Sequence, residues 1–453
     1  MVDLLQKVPP HSIEAEMAVL GSMLIEKEAL DRALEVLDES SFYDPTHQKI
    51  FQAIRNLSIH NRAVDTVTLA EELRRQEQLV SIGGAEYLVR LINSVATAAH
   101  IEHYVDIVKQ KAVLRTVIRG ATQVVQECYQ ENEDASVMLD RAESVIYAIA
   151  DQPGRKGLHP VGDMLQGIIE NLEVLHQKKE HITGVSTGFA KLDELTAGLQ
   201  RGNLIILAAR PGVGKTAFAL NICEHVAVNK KLPVAIFSLE MSQQEIGMRL
   251  LSSITAIPLQ SLRTGFFKKS DWPAITRKAE MLAESPLYLD YSTSAMSILT
   301  LRSSARRLAT HLKAKGTPLA LLVIDYLQLM QGSSRSPESR QVEIAEISRS
   351  LKGLAHDLNL PIIALSQLNR SPEERGRDGK PQLSHLRESG ALEQDADLVA
   401  FIYREAMYKQ EPVDEETKRR AKLIIAKQRN GPQGEVDLVF MGECARFETY
   451  SPL

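Results

Sequence analysis

Two grammars of apolar and polar positions divide the chain. Up to about residue 150 the apolar positions recur at helical spacing: Ala15, Val19 and Met23 open one stripe, and Leu69, Leu73, Tyr87, Leu88 and Leu91 continue later ones. Pro9-Pro10 stops any earlier helix, Ser12 is placed to cap the first one with Glu14 and Glu16 in its opening turn, and Gly83-Gly84 separates two others. Ile101 to Cys128 reads as one long helix and Ala135 to Ala150 as a second, together a helical hairpin. From Gly184 onward short apolar runs alternate with helical segments. Strands are expected at Leu204 to Ala208, Val234 to Phe237, Leu319 to Ile324, Ile362 to Leu365, Leu398 to Ile402, Leu423 to Ala426 and Val436 to Phe440. Continuous apolar runs of this length suit a sheet covered on both faces, hence an α/β domain with a mostly parallel sheet.

Between the two grammars, Gln152 to Pro160 is rich in Pro and Gly and reads as a linker. Val161 to Lys179 follows as an amphipathic helix with Met164, Leu165, Ile168, Ile169, Leu172 and Leu175 on one face. That stripe packs either on its own C-terminal domain or on a neighbouring subunit. The expected domains are therefore 1–150, all-helical; 151–183, a linker with its helix; and 184–453, α/β.

Charge sharpens the division. The net charge of −5 splits into −9 over residues 1–150, with 14 Lys+Arg against 23 Asp+Glu, and +4 over the remainder. An acidic first domain is a poor phosphate binder, so any nucleic acid should meet the second part. No apolar stretch approaches the roughly 18 residues that span a bilayer, and the N-terminus lacks a signal-peptide core, so no membrane role and a cytoplasmic location are expected. Cys128, Cys223 and Cys444 are too few and too scattered for a disulfide framework or zinc site. The N-terminal histidines show no metal-ligand spacing.

Ala209-Arg-Pro-Gly-Val-Gly-Lys-Thr216 follows the first apolar run and opens a helix. A strand, a glycine-containing loop and a helix beginning Gly-Lys-Thr form a P-loop, whose backbone N–H groups cradle phosphates. Ala209 stands where the first glycine is usual. Lys215 is expected on the β/γ-phosphates and the Thr216 hydroxyl on Mg²⁺. Ligands in such sheets gather beyond the carboxyl ends of the strands. There Asp325 fits a metal-shell carboxylate, Glu240 a base for the attacking water, and Gln367 a γ-phosphate sensor. The polar loops 331–339 and 369–390 have glycines and arginines suited to nucleic-acid phosphates, or are simply solvated. Lys427-Gln-Arg429-Asn-Gly431 at a hairpin is either a solvated edge or an arginine finger reaching a neighbour.

Further segments complete the pattern: Ser12 to Gly21, Phe237-Ser-Leu-Glu-Met-Ser242, Val323-Ile-Asp-Tyr-Leu-Gln-Leu329, Leu365-Ser-Gln-Leu368, Leu386-Arg-Glu-Ser-Gly390, Glu393-Gln-Asp-Ala-Asp397 and Lys427 to Pro432. In this order they closely resemble the bacterial replicative DNA helicases of the DnaB family over essentially the whole chain. The resemblance implies a RecA-like P-loop ATPase domain behind an all-α N-terminal domain and a linker helix. It implies a homohexameric ring moving 5′ to 3′ on single-stranded DNA with ATP and Mg²⁺, unwinding forked DNA, with primase and a helicase loader as partners. By matched motif, Gly212, Gly214, Lys215, Thr216 and Ala217 line the phosphates, Arg249 is a further nucleotide contact, and Glu240 is the catalytic base. Lys427 and Arg429 act on the adjacent subunit's nucleotide, while Arg387, Glu388 and Gly390 lie along the single strand. Two rivals share the P-loop: a recombinase-type ATPase that coats DNA without unwinding it, and a ring scaffold that binds nucleotide only to assemble.

Overall fold

The computed structural model describes residues 8–95, 97–130, 161–178, 181–290, 296–327, 330, 340–368, 380–408 and 414–450, with single positions at 138, 142 and 145. The chain falls into two compact units, Met1–Gly167 and Ile168–Leu453, each with apolar core of its own.

The first unit is helical: α1 Ile13–Ile25, α2 Lys27–Val36, α3 Pro45–Ile59, α4 Thr66–Arg75, α5 Gly84–Asn93 and α6 Ile101–Tyr129. Ser12 caps α1 as expected, accepting a hydrogen bond from the Ala15 N–H at 3.3 Å. α1 packs against α2, α3, α5 and α6 and is therefore apolar nearly all round, with Val19, Leu20 and Met23 almost fully buried. Gly21 lets α5 come close, since a side-chain carbon there would sit 2.3 Å from the Leu91 carbonyl oxygen. One polar cluster interrupts this core. The buried Glu16 carboxylate accepts the Tyr43 N–H at 2.7 Å and pairs with His47 Nδ1 at 2.7 Å, and His47 Nε2 meets the Tyr87 hydroxyl at 2.8 Å. The cluster ties α1, α3 and α5 together with its polar atoms matched, as a buried network must. His47 is thus a core histidine. The expected helix over 135–150 and linker over 152–160 lie almost wholly outside the described residues. The amphipathic helix beyond them, α7, spans Val161–Lys178.

The second unit is built on a sheet with nine strands among the described residues: β1 Leu204–Ala209, β2 Val234–Ser238, β3 Leu287–Asp290, β4 Leu321–Asp325, β5 Ile362–Gln367, β6 Leu398–Tyr403, β7 Arg420–Gln428, β8 Gly434–Met441 and β9 Arg446–Thr449. Their spatial order is β3-β2-β4-β5-β1-β6-β7-β8-β9. From β3 to β6 neighbours run parallel, and from β6 to β9 antiparallel. Successive side chains leave a strand on opposite faces, so each apolar run feeds two cores. Ile205, Leu207, Ile236 and Val323 join the layer holding the helix Lys215–Glu224, whereas Leu204, Ile206, Phe237 and Ile324 join the layer holding the helices Ile298–Ala314 and Arg340–Leu358.

All seven expected strands are present, with shifted ends. β4 starts at Leu321 rather than Leu319 and includes Asp325, because Leu319 is buried ahead of the ladder without joining it. β3 and β9, unforeseen, are short edge pieces without a continuous apolar run.

Candidate active site

Four strands, β1, β2, β4 and β5, bring candidate residues to their carboxyl ends. β1 delivers the loop Arg210–Gly214 into the helix Lys215–Glu224. The turn needs Gly214, which holds φ at +111°, a conformation strained for any residue with a side chain, and a β-carbon there would also press to 3.0 Å from the Phe447 ring. Gly212 also adopts a left-handed conformation, with φ +78°. Ala209, the position usually glycine, is the last residue of β1 and is buried in extended structure, where an alanine fits without strain.

β4 brings Asp325 beside this loop. Its Oδ2 accepts a hydrogen bond from the Thr216 hydroxyl at 2.8 Å, and its Oδ1 lies 3.8 Å from Lys215 Nζ. Asp325 is 3 % exposed, and Oδ1 is buried without a hydrogen-bond partner among the described residues. The Lys215 ammonium also lies 4.4 Å from the centre of the Tyr326 ring. Burial dominates both charges: it pushes the Lys215 ammonium below its ordinary range against the pull of Asp325 and Glu240. It pushes the Asp325 carboxyl up against Lys215, the Thr216 hydrogen bond and Arg249. Pairing alone therefore does not offset the desolvation of either group, a setting that further charge of the right sign would relieve. A hydroxyl and a half-satisfied carboxylate side by side are hard oxygen donors, and they fit a magnesium ion.

Glu240 lies two residues beyond β2, whose last residue Ser238 is in register with Asp325. The Leu239 N–H donates to the Asp325 carbonyl at 2.7 Å, pinning this turn to β4 and leaving the Glu240 side chain exposed. Gln367 ends β5 in register with Ala209 and is exposed at the same rim. Arg249, half-buried in the helix Gln243–Thr255, is near enough to Asp325 to act on its charge. Ala217 is buried one residue beyond Thr216.

The remaining sequence candidates lie elsewhere. Lys427 is on β7 and Arg429 just past it, in register with the beginning of β6, which itself lies beside β1. They therefore sit at the amino-terminal rim of the parallel strands, a strand length of roughly 17–20 Å from the P-loop rim. There Lys427 Nζ reaches the Glu393 and Gln394 carbonyl oxygens, and Arg429 reaches the Gln394 carbonyl at 2.6 Å and the Asp397 carboxylate at 3.5 Å. Arg387 and Glu388 belong to the short helix Leu383–Ser389, which continues into Gly390–Asp395 with Gly390 exposed. The side chains of Arg387 and Glu388, and the loops 331–339 and 369–379, lie outside the described residues.

Sequence reasoning missed a cation–aromatic group beside the P-loop. The Arg404 guanidinium lies 4.3 Å over Phe440, whose ring is 3.2 Å from the place a Gly214 β-carbon would take, and Arg210 lies 4.8 Å over Tyr408. Only the fold brings β6, β8 and the P-loop together, so no spacing in the sequence could reveal it.

Comparison with known proteins bears on both units. A model of the DnaB-like helicase C terminal domain matches residues 184–449, and one of the DnaB-like helicase N terminal domain matches residues 8–110. The replicative DNA helicase DnaB of Geobacillus stearothermophilus is 46% identical over 442 residues, spanning 98% of this chain and 95% of the relative. The replicative DNA helicase DnaC of Bacillus subtilis (strain 168) is 45% identical over 448 residues, spanning 99% and 96%. Among solved structures, a DnaB-like replicative helicase described with its interactions with primase aligns with a TM-score of 0.73 at 32% identity, covering 97% of this chain and 100% of that one. A second solved structure, of an ATPase domain alone, aligns at 0.59 and 36% identity, covering 65% and 100%. Among the described residues no helix is long and apolar enough to cross a membrane.

Proposed function

This chain belongs to the DnaB-like family of replicative DNA helicases, and on that premise we propose that it is an ATP-hydrolysing hexameric ring that travels 5′ to 3′ on single-stranded DNA, unwinds the duplex ahead and engages primase. The observation that carries the nucleotide chemistry is the Thr216–Asp325 hydrogen bond at 2.8 Å, with Lys215 3.8 Å from the unsatisfied carboxylate oxygen.

In this reading the N–H groups at the start of the helix Lys215–Glu224 and those of Gly212 and Gly214 hold phosphate oxygens, and Lys215 turns from Asp325 to the β/γ-phosphates. Thr216 and Asp325 would hold Mg²⁺, which neutralises charge on the transferring phosphoryl group. Glu240, held at the rim by the Leu239–Asp325 backbone bond, takes the proton of the attacking water. Gln367 senses the γ-phosphate from the neighbouring strand end, and Arg249 supports the anionic shell. The Arg404–Phe440 platform offers a stacking surface for the adenine base. Arg387, Glu388 and Gly390 follow the single strand, and Lys427 and Arg429 serve the adjacent subunit. A helicase loader completes the partners, and the cytoplasm is the expected compartment.

Strand displacement on tailed duplexes tests the whole reading. ATP should drive it on 5′-tailed but not 3′-tailed forks. Binding to single strands should fall with salt by about 0.7 log units per log unit of salt for each phosphate contacted, with little dependence on sequence. Hydrolysis without displacement would favour the recombinase-type rival, absence of turnover the scaffold, and strong discrimination between sequences of equal length would rule out a backbone grip.

Ring assembly has its own test. Val161, Leu165, Ile169 and Leu172 of α7 are each about half or more exposed, an apolar stripe that supports docking on a neighbour. Each such side chain is worth about 1.5–3 kcal/mol once covered. Ile169→Ser with Leu172→Ser should therefore leave subunits folded by circular dichroism yet shift sedimentation from hexamers to smaller species. Unchanged hexamers would favour packing within the subunit.

A further inference from the structure

The segment Glu393–Asp397 has no part in the chemistry above, yet the two cations assigned to a neighbour's nucleotide are fastened to it. Arg429 is held at three points: its N–H donates to the Asp397 carbonyl at 2.9 Å, one guanidinium nitrogen donates to the Gln394 carbonyl at 2.6 Å, and another lies 3.5 Å from Asp397 Oδ1. Lys427 donates to the Glu393 and Gln394 carbonyls. Asp397 is itself immobilised. Its Oδ2 accepts from the Leu204 N–H at 2.8 Å and from Lys352 Nζ at 2.6 Å, its side chain is 7 % exposed, and Lys352 also bonds the Gly202 carbonyl at 3.0 Å. The Arg429 side chain stays 46 % exposed.

A buried carboxylate fixed on one oxygen and turned toward a half-exposed arginine with the other is a brace. We propose that Asp397 is a positioning residue for Arg429, setting the direction in which the finger leaves its own subunit before the neighbour arrives; this rests on the reading of Arg429 as a trans-acting group. Long cationic side chains sample many rotamers, and a finger ordered in advance meets the transferring phosphoryl group without first being immobilised. The brace is anchored to β1 through Leu204, the strand that carries the subunit's own P-loop at its other end, so the finger for one site and the cradle of the next share one rigid strand.

The test uses the full-length chain assembled on single-stranded DNA. Asp397→Asn keeps the shape of the side chain and loses its charge; it should lower kcat for ATP by about 10²-fold, as expected for small misplacements of a positioned group, with KM changed by less than about two-fold. Mixing then separates positioning from damage to β1. Combined with Lys215→Ala subunits, which carry intact fingers, Asp397→Asn should regain turnover; combined with Arg429→Ala subunits it should not. The reverse pattern, or failure with both partners while the control mixture of Lys215→Ala with Arg429→Ala recovers, would place the defect in the P-loop or in the fold and overturn the proposal, as would wild-type kcat in Asp397→Asn. If the asparagine variant does not assemble, Asp397→Glu, which moves the charge by one methylene, is read by the same pattern. The control mixture of Lys215→Ala with Arg429→Ala reports on the trans reading separately: recovery there with no recovery for Asp397→Asn rejects the brace alone.

Discussion

Arg429→Ala should keep nucleotide binding and lose DNA-stimulated ATP turnover by about 10³- to 10⁵-fold, the range typical of an arginine finger. The expectation follows from where the residue lies. Lys215, Thr216, Asp325 and Glu240 come together at the carboxyl rim of the parallel strands, whereas Arg429 is in register with the start of β6 at the opposite rim. No side chain bridges a strand length, so a catalytic Arg429 serves a site other than its own. Loss of stability should contribute little, because the side chain is nearly half exposed. The decisive measurement mixes two inactive proteins. Arg429→Ala subunits retain P-loops and Lys215→Ala subunits retain fingers, so rings formed after exchange contain complete sites at some interfaces. Recovery of ATP hydrolysis supports action in trans. No recovery at any ratio, with exchange verified, would leave action in cis or a requirement for every site to fire, and only the second predicts that traces of mutant poison wild-type rings.

Glu240→Gln should bind ATP and assemble while hydrolysis falls by about 10²- to 10⁴-fold, the usual contribution of a positioned general base. The substitution preserves shape and removes basicity. It should not disturb the turn, which is held by the Leu239–Asp325 backbone bond and by the Ser238 hydroxyl donating to the Met241 carbonyl at 2.9 Å. Pre-steady-state measurement distinguishes the step: a slow chemical phase with normal nucleotide association fits the assignment. Near-normal hydrolysis would move the base to another group at the rim, and Asp325, buried and engaged with Thr216 and Lys215, is a poor substitute.

The sequence disclosed those parts of the fold in which burial is continuous. β1, β2, β4, β5 and β6 are covered on both faces and appear as unbroken apolar runs, so they could be located to within a few residues. β7 is legible only in its middle, because Arg420, Lys422, Lys427 and Gln428 towards its ends are polar and at least partly exposed and break the apolar run. β3 and β9 escaped because edge strands of four residues need no apolar run, and their pairing partners define them. The P-loop and Asp325 were legible for a related reason: a phosphate cradle demands particular residues at fixed offsets, and the strand before each is apolar. Contacts made by the fold across large sequence separations were not legible. Arg404 over Phe440, Lys352 on Asp397 and the capture of Lys427 and Arg429 by the Glu393–Asp397 segment join residues whose spacing follows no local rule.

The reversal of strand direction between β6 and β7 has a thermodynamic side. Because the chain turns back there, the two ends of one sheet carry the phosphate cradle and the finger separately, and under the trans assignment a solitary subunit can load nucleotide but not spend it. Fuel consumption then switches on with assembly, and subunits shed from a ring fall silent without an inhibitor.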